Sequence, residues 1–527
     1  MPRDFHLPGR SPVYACEGMA ATSHPLATLV AIETLKAGGT AADAAVAAVA
    51  TLGDVEPHMT GIGGDCFCLV ARPDKPVWGY NGSGRAGAGA STEALLARGI
   101  ESIGMSSIHA VTVPGAVEAW ANILGAHGRF GLDRALAPAI RFADNGFPVA
   151  PRVAFDWALA VERLRADAGA ARHFLVNGRA PSEGEVIKLP ALAATLKTIA
   201  KEGPSAFYQG PIAEEIVTTI ASRGSVLTTN DFARHRGTVE QPISTTYRGY
   251  DFYELPPNGQ GITALVLLNI LERFELAKLE PLGPERFHIV LEAARMAFAV
   301  RDAHVADPAY MHISTQELLD KKFAAQLASR IDREHRATLS NAAVHGGDTV
   351  YVTVVDRDRT AVSMINSLFS GFGVGICTEK SGILLNNRGA CFVLNPEHPN
   401  SFGAGKRPLH TIIPALAYRN GYCELAFGVM GAHYQPMGHV QIVNNMVDYG
   451  MDAQAAIDAP RAFFDGDLTL VERGISAATV AGLRTRGHNV MVAPVPFGGG
   501  QTIKIDWERD SLIGGSDARK DGCALGY

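Results

Sequence analysis

A threonine that follows a glycine pair is the residue of this sequence best suited to chemistry. Thr349 comes directly after Gly346-Gly347-Asp348 and opens a run of β-branched residues. A threonine hydroxyl is a weak nucleophile near neutral pH unless a base lies beside it. Cleavage before Thr349 would give that residue a free α-amino group, with an unperturbed pKa of about 8, and so supply nucleophile and base together. The alternative is an uncut Gly-Asp-Thr that merely ends a loop.

The segments around Thr349 predict the strands that must position it. Residues 350–355 and 360–365 are rich in β-branched residues and indicate the two strands of a hairpin. Further strands are predicted at 66–71, 382–385, 411–418 and 422–427. Helices are predicted around 27–32, 41–52 and 435–449, and residues 110–330 are expected to form a mainly helical shell. Sheets with helices on their outer faces are the expected architecture.

The composition excludes several classes of protein. The chain has 527 residues, 47% hydrophobic and 19% charged, so it can bury a large core and is not expected to be disordered. A formal net charge of −6 without a basic run argues against a nucleic-acid partner. The most apolar stretch is shorter than the ~20 residues that span a bilayer, so no membrane association is expected. Seven scattered cysteines and a start without a secretory signal predict free thiols and a cytoplasmic location.

Motifs for a metal or a nucleotide cofactor are missing from the sequence. It has no H-E-x-x-H, no G-x-S-x-G and no G-x-x-x-x-G-K-[ST]. The glycine loop at 59–65 precedes a strand instead of opening a helix, which is the wrong order for dinucleotide binding. Cys66 and Cys68 lack a second pair of ligands, and the 17 histidines do not cluster at metal spacing. We therefore expect neither a cofactor nor a metal.

Motifs along nearly the whole chain resemble those of the γ-glutamyltranspeptidase family. The motifs similar to those of its small subunit, in order and spacing, are Gly347-Asp348-Thr349, Val354-Val355-Asp356, Ala361-Val362-Ser363, Phe372-Gly373 and the segment 381–387. Those similar to its large subunit are the segments 59–64, 111–115 and 255–258, and later motifs match 406–409 and 458–461. The resemblance therefore depends on no single motif.

The resemblance implies a fold, a maturation step and a division of the chain. The fold is that of an N-terminal-nucleophile hydrolase, an α/β (α+β) protein built as a four-layer αββα sandwich. The chain would be a proenzyme that cleaves itself between Asp348 and Thr349. Residues 1–348 would then form a large subunit and residues 349–527 a small subunit of one folded unit. Thr349 would first attack the Asp348 carbonyl and later the substrate amide, giving an acyl-enzyme that water hydrolyses.

The resemblance also assigns the groups that assist the nucleophile. Ser367 stands at the position of a hydroxyl residue that hydrogen-bonds it. Backbone N–H groups of Gly431 and Ala432 correspond to the oxyanion hole, which the family builds from a glycine pair. Backbone donors do not depend on the side chain, so Ala432 is acceptable if its dihedral angles are ordinary.

The positions that correspond to carboxylate binding in the glutamyl enzymes are altered but still suit an anion. Arg85 matches an arginine that holds the substrate's α-carboxylate, while His410 and Thr411 replace two serines. An arginine can hold a carboxylate through two parallel hydrogen bonds. A carboxylate on the substrate is therefore expected.

The positions that correspond to α-amino binding have changed in character. Phe369, Arg388 and Cys391 stand where the glutamyl enzymes have Asn, Gln and Asp. A substrate ammonium facing Arg388 would be repelled, and the bulk of Phe369 favours a short acyl group. The segment between Phe392 and Lys406 is short compared with members that carry a lid loop, so water is the expected acyl acceptor.

These departures predict an amidohydrolase for a small carboxylate-bearing amide without an α-amino group, similar to the oxamate amidohydrolases of purine catabolism. The alternatives are a γ-glutamyltransferase or glutathione hydrolase, a glutaryl-type acylase, and an unprocessed, inactive binding module. The expected partners are the small-molecule substrate, the two subunits cut from one precursor, and a second processed molecule in a homodimer.

Overall fold

Two seven-stranded antiparallel sheets lie face to face in the computed structural model, which describes residues 9–339 and 348–527 and, at Asp348, only the backbone. The strands of the first sheet, in spatial order, are Val13–Ala15, Ser511–Ser516, Gly499–Asp506, Tyr422–Met430, Ala415–Arg419, Tyr250–Glu254 and Ile243–Tyr247. Those of the second are Cys523–Gly526, Met19–Thr22, Asp348–Val355, Ala361–Phe369, Asp65–Ala71, Trp78–Gly82 and Thr238–Glu240. Smaller sheets contain Ala462–Asp465, Leu468–Val471 and Asn489–Val492, and Phe147–Pro148 and Val186–Ile187.

Helices cover the outer faces of both sheets. The α-helices of the described chain are Pro25–Lys36, Ala41–Val55, Thr92–Leu96, Ala116–His127, Leu132–Asn145, Pro151–Ala158, Val161–Arg165, Ala168–Phe174, Pro190–Glu202, Ser205–Tyr208, Pro211–Ala221, Thr229–Ala233, Gly261–Leu271, Pro284–His304, Thr315–Leu318, Lys321–Ala328, Gln435–Val443, Ala453–Asp458 and Ala477–Thr485. Helices on both outer faces of two stacked sheets confirm the predicted αββα sandwich of the α+β class.

The alternation of side chains along the central strands explains why four layers form. On the strand Asp348–Val355, here called the nucleophile strand, Val350, Val352 and Val354 pack against helices. Tyr351 and Val355 point the other way and pack between the sheets. Because successive strand residues face opposite sides and both sides are apolar here, the strand is buried on both faces. Thr349 is thus held in the middle of the molecule.

The helix Ala41–Val55 shows how this composition packs. All of its residues are buried, and nearly half are alanines, whose small side chains allow neighbouring elements to approach closely. Its N-terminus is fixed by a capping box in which Thr40 and Asp43 bond each other's backbone N–H groups. This helix therefore provides a rigid layer behind the nucleophile strand.

Most of the predicted elements near Thr349 are confirmed, and two predictions need correction. The segment 382–385 is not a strand, because its backbone groups bond loops, as in the bond from Leu385 N–H to the carbonyl of Ile376. The predicted helix 435–449 changes to a π-turn at Asn444–Asp448. The shell 110–330 is mainly helical, as predicted, and also contains five short strands, Phe147–Pro148, Val186–Ile187, Thr238–Glu240, Ile243–Tyr247 and Tyr250–Glu254. In the described part of the chain, every helix is too short or too polar to cross a bilayer.

Candidate active site

Thr349 lies where the pairing of two strands is interrupted. The nucleophile strand runs antiparallel to Ala361–Phe369, with Asp348 opposite Phe369 and Val350 opposite Asn366. The register shifts between those two pairs, which leaves Thr349 in a β-bulge, an irregularity that re-aims a side chain and is common beside active sites. Thr349 is fully buried, and its Oγ1 lies 3.0 Å from Ser367 Oγ.

The Ser367 hydroxyl connects Thr349 to a second group. Ser367 Oγ accepts a hydrogen bond of 2.8 Å from the backbone N–H of Phe369 and a longer one, 3.4 Å, from Arg388 Nη2. A serine hydroxyl can donate one hydrogen bond and accept two, and the hydroxyls of Ser367 and Thr349 lie close enough for one to donate to the other. The predicted contact between Ser367 and the nucleophile is present in the geometry.

Arg388 is a fully buried cation next to this pair. Its Nη1 donates to Thr411 Oγ1 over 2.7 Å, and its guanidinium carbon lies 4.3 Å from the centre of the Phe369 ring. Its Nε has no hydrogen-bond partner, and none of the described carboxylates forms an ion pair with it. Burial lowers the pKa of Arg388, an effect that Cys391 and Asp65 oppose.

His410 is fully buried, and its two ring nitrogens are engaged by residues other than the nucleophile. Its Nε2 lies 3.0 Å from Asp65 Oδ2, and its Nδ1 accepts a bond of 3.3 Å from the N–H of Ile412. Burial, reinforced by the charge of Arg388, lowers the pKa of His410 to about 3. The ring is therefore neutral and both nitrogens are occupied, so we assign it to shaping the wall.

Arg85 is not part of this cluster. Its side chain is 41% exposed, its Nη1 lies 3.3 Å from Asp307 Oδ2, and the same atom donates to the carbonyl of Gly405 over 3.0 Å. No hydrogen bond or ion pair among the described residues joins Arg85 to Thr349 or Arg388. Its predicted role in carboxylate binding remains a prediction that this geometry does not favour.

The predicted oxyanion pair forms a tight turn after the strand Tyr422–Met430. Gly431 has φ = 125° and Ala432 has φ = 47°, so the condition of ordinary dihedral angles at Ala432 is not met. An alanine in the left-handed region costs about 1 kcal/mol or more. Gln260 holds the turn by donating to the carbonyl of Ala432 over 2.9 Å. Within the described chain, neither N–H group of the pair has a hydrogen-bond acceptor, which leaves both available to a developing negative charge.

A cavity of about 340 Å³ opens at Thr349 and Gly431. Its walls are mainly apolar and aromatic, and they include Met59, Met430, Tyr434, Phe463, Phe464 and Phe497. Charged residues also line it, two cationic and two acidic: Arg152, Lys520, Asp156 and Asp465. We call this space the aromatic cavity.

Two residues of the site, His433 and Asp65, were not predicted from the sequence. His433 lines the aromatic cavity, its Nδ1 lies 3.1 Å from Arg301 Nη1, and its ring contacts that of Phe369 edge-on. Because His433 directly follows Gly431 and Ala432 in the sequence, its presence at the site could have been predicted. Asp65, which lies next to His410, ends the glycine loop 59–65 and was not singled out in the sequence. No set of three or more metal-binding side chains converges among the residues described.

Comparison with known proteins agrees with this geometry. A family model described as gamma-glutamyltranspeptidase matches residues 27–527. The chain is 39% identical to the glutathione hydrolase-like YwrD proenzyme of Bacillus subtilis, covering 98% of this chain and 99% of the relative. It is 35% identical to the oxamate amidohydrolase proenzyme of Klebsiella pneumoniae, covering 97% and 98%. The crystal structure of cephalosporin acylase from Bacillus halodurans matches with a TM-score of 0.93 and 38% identity, covering 100% of this chain and 99% of that one.

Proposed function

Because the chain belongs to the γ-glutamyltranspeptidase family, whose members hydrolyse or transfer amide bonds as N-terminal-nucleophile enzymes, we propose that it is a self-processing amidohydrolase. Thr349 would cleave the bond that joins it to Asp348 and so gain an α-amino group. That group then takes the hydroxyl proton when Oγ1 attacks a substrate amide. The substrate proposed here is a small amide acid, similar to oxamate, without an α-amino group.

The observation that carries the substrate assignment is the isolated charge of Arg388. A buried ionised group without a counter-ion costs several kcal/mol. An arginine offers five N–H donors, and among the described residues those of Arg388 are used by bonds to Thr411 and Ser367 and by a contact with Cys391. A substrate carboxylate would supply the missing negative charge through two parallel hydrogen bonds. Arg388 is accordingly the proposed carboxylate receptor, with Thr411 beside it.

The short distance from Arg388 to Thr349 limits the length of the acyl group. Ser367 Oγ lies 3.0 Å from Thr349 Oγ1 and 3.4 Å from Arg388 Nη2. The distance between Thr349 Oγ1 and Arg388 Nη2 therefore cannot exceed the sum of these two distances. In a two-carbon amide acid, one C–C bond of about 1.5 Å separates the carboxylate carbon from the reacting carbonyl carbon. Such a molecule can place its carbonyl carbon about 3 Å from Thr349 Oγ1 while its carboxylate lies about 3 Å from the Arg388 guanidinium. A glutaryl group separates the same carbons by about 5 Å when extended and is too long.

The same geometry opposes a γ-glutamyl substrate. The side chains of Phe369, Arg388 and Cys391 meet, with the guanidinium lying over the Phe369 ring. An ammonium group in this space would face a buried cation and no described carboxylate. Hydrolysis of γ-glutamyl substrates is the second candidate function, because the glutathione hydrolase-like relative is 39% identical to this chain.

The proposed reaction balances as follows. Thr349 Oγ1 adds to the amide carbon, its proton passes to the α-amino group, and the N–H groups of Gly431 and Ala432 bond the oxyanion. The C–N bond breaks, and the leaving amine takes that proton. Water then adds to the ester and releases a dicarboxylic acid and the free Thr349 hydroxyl.

Three assays on one preparation test the proposal. A denaturing gel should show two fragments, whereas a single band that persists on long incubation would favour the inactive binding module. The processed protein should release ammonia from oxamate and turn over a γ-glutamyl anilide poorly. The opposite ranking would make the chain a glutamyl enzyme. Succinamate and glutaramate, longer by two and three carbons, serve as matched controls for acyl length.

A further inference from the structure

One buried side chain joins the oxyanion pair to the proposed carboxylate receptor. Gln260 directly precedes the helix Gly261–Leu271 and is fully buried. Its Nε2 donates to the carbonyl of Thr411 over 2.8 Å and to the carbonyl of Ala432 over 2.9 Å. Thr411 Oγ1 in turn accepts from Arg388 Nη1. Both protons of the Gln260 amide are therefore used, one toward each part of the site.

Arg301 fixes the orientation of the Gln260 amide. Arg301 is buried, and its Nη1 donates to Gln260 Oε1 over 2.8 Å. Because an arginine has donors only, the amide oxygen must face Arg301 and the NH₂ group must face the two carbonyls. The same Nη1 lies 3.1 Å from Nδ1 of His433, and Asp302 Oδ1 accepts from the guanidinium Nε over 2.7 Å. The amide is thus held in one orientation.

The oxyanion pair has a conformation that needs support from outside its own turn. Ala432 has φ = 47°, and a strained conformation of this kind persists only where the surrounding structure fixes it. The N–H of Tyr434 bonds the carbonyl of Gly431 over 2.9 Å, and the N–H of Gln435 bonds the carbonyl of Ala432. These local bonds move with the turn and do not set its position relative to the nucleophile. The bond from Gln260 comes from another element and does so.

The receptor side of the site does not depend on the Gln260 side chain. The N–H of His410 bonds the carbonyl of Asn258 over 2.8 Å, and the backbone N–H of Gln260 bonds the carbonyl of His410 over 2.8 Å. These backbone bonds join the two segments whatever side chain stands at position 260. Loss of the amide should therefore release the oxyanion pair and leave Thr411 and Arg388 in place.

We infer that Gln260 is a positioning residue of the proposed reaction: its amide holds the N–H groups of Gly431 and Ala432 where the oxyanion develops. This role rests on the proposed function, because it concerns a substrate amide whose carboxylate lies at Arg388. Gln260 acts through the turn and not by contact with the substrate. An oxyanion forms only during the reaction, so its donors lower the barrier without strengthening the binding of the substrate. The Gln260 amide should then affect kcat and not KM.

Gln260→Met, which removes the donors and keeps a side chain of similar length, tests this role on the processed protein. Its kcat for oxamate, per cut chain counted on a denaturing gel, should fall about 30-fold, less than the loss of about 10²–10³-fold that follows removal of an oxyanion donor itself. The KM for oxamate and the inhibition constant of oxalate should change less than about twofold. An unchanged kcat, or a loss that lies in KM, would overturn the inference.

A matched substitution separates positioning from stability. Gln454 is also buried, and its amide donates to the carbonyl of Ser516 and accepts from the N–H of the same residue. It does not line the aromatic cavity. Gln454→Met should lower the melting temperature as Gln260→Met does, because both leave buried backbone groups without partners, and should leave kcat unchanged. An equal loss of kcat in the two variants would make Gln260 a structural residue only.

Gln260→Glu is the second variant if Gln260→Met does not fold. Arg301 should keep the new carboxylate ionised, so the bond to Arg301 remains while both donors are lost. The kcat should fall as in Gln260→Met, and a normal kcat would assign the effect to Arg301 and overturn the role of the amide. If both variants at position 260 fold but stay uncut while Gln454→Met is cut, Gln260 serves maturation and not turnover, which also overturns the inference.

Failure of the proposed function gives a different result. A processed wild type that does not hydrolyse oxamate would refute the substrate assignment and not the role of Gln260. The same separation of kcat from KM is then measured with a γ-glutamyl anilide, because either amide forms an oxyanion beside Gly431 and Ala432. A wild type active on oxamate, with the same kcat in Gln260→Met, would refute the role of Gln260 alone.

Discussion

Arg85 was predicted to hold a substrate carboxylate and Arg388 to repel a substrate ammonium, and the two arginines lie in opposite electrostatic surroundings. Arg85 is 41% exposed and already paired with Asp307. Arg388 is fully buried, near the nucleophile, and lacks a described carboxylate partner. Binding an anion is favoured only weakly at an arginine that is hydrated and already paired, and strongly at a buried arginine without a counter-ion. The difference indicates which arginine is built for a ligand.

The largest effect should come from removing the side chain of Thr349, the proposed nucleophile. Thr349→Ala should stay uncut and lose hydrolysis by about 10⁴-fold or more, because nucleophile and base disappear together. A denaturing gel and an ammonia assay measure both outcomes. Thr349→Ser, which keeps a hydroxyl, is the control and should still be cut. Activity in uncut Thr349→Ala would refute the assignment of the nucleophile.

Arg388→Gln should lower kcat/KM for oxamate about 100-fold, since a charged hydrogen-bonded pair is lost. Arg388→Lys keeps the charge without the fork of donors and should lie between the two. Because Gln removes an uncompensated buried charge, the melting temperature of the variant should rise. A stable variant with unchanged KM would show that the carboxylate binds elsewhere.

Phe369 sets the length of the space beside Arg388. Phe369→Ala should raise the kcat/KM of glutaramate relative to oxamate about tenfold, because the ring no longer excludes extra methylenes. Phe369→Leu retains most of the bulk and should change that ratio less. Steady-state ammonia release with both acids provides the measurement, and an unchanged ratio in the alanine variant would separate Phe369 from acyl length.

His410 reports on the charge of its surroundings. Its pKa is about 3 in the folded protein and about 6.5 when unfolded. The unfolded chain thus binds the extra proton between those values, so stability is full above pH 6.5 and falls as the pH is lowered. In the uncut Thr349→Ala background, His410→Asn should reduce this slope by up to about 1.4 kcal/mol per pH unit. Thermal unfolding from pH 7 to pH 4 measures it, and parallel curves would contradict a neutral buried ring.

Arg85→Gln should have the smallest effect. An ion pair as exposed as that with Asp307 contributes about 0–1 kcal/mol, and Asp307 keeps its bond from the N–H of Arg407. We expect kcat/KM for oxamate to change by less than about threefold. A loss as large as that of Arg388→Gln would remove the distinction between the two arginines.

The elements around Thr349 were predictable because local patterns determine them. The β-branched runs of the hairpin and the alanine-rich helix Ala41–Val55 follow from periodicity and turn residues. The strand predicted at 382–385 failed because the backbone of this segment bonds the loop 374–378 just before it in the chain and joins no sheet. The short strands Ile243–Tyr247 and Tyr250–Glu254 lie at a sheet edge and lack a pattern strong enough to separate them from a helical shell.

The site was predictable in its residues more than in its electrostatics. Ser367, Arg388 and Thr411 meet near Thr349 as expected. The engagement of His410 by Asp65 could not be foreseen, because it joins residues 345 positions apart in the chain. The surroundings of Arg85 could not be foreseen either, because its contacts are with Asp307 and Gly405, which are distant from it in the chain.

A crystal structure of the processed protein with oxalate, the acid released from oxamate, tests the central claim most directly. One carboxylate should lie on the Arg388 guanidinium with two parallel hydrogen bonds, and the other should approach Thr349 Oγ to about 3 Å. Oxalate bound at Arg85 while Arg388 remains without an anion would contradict the claim.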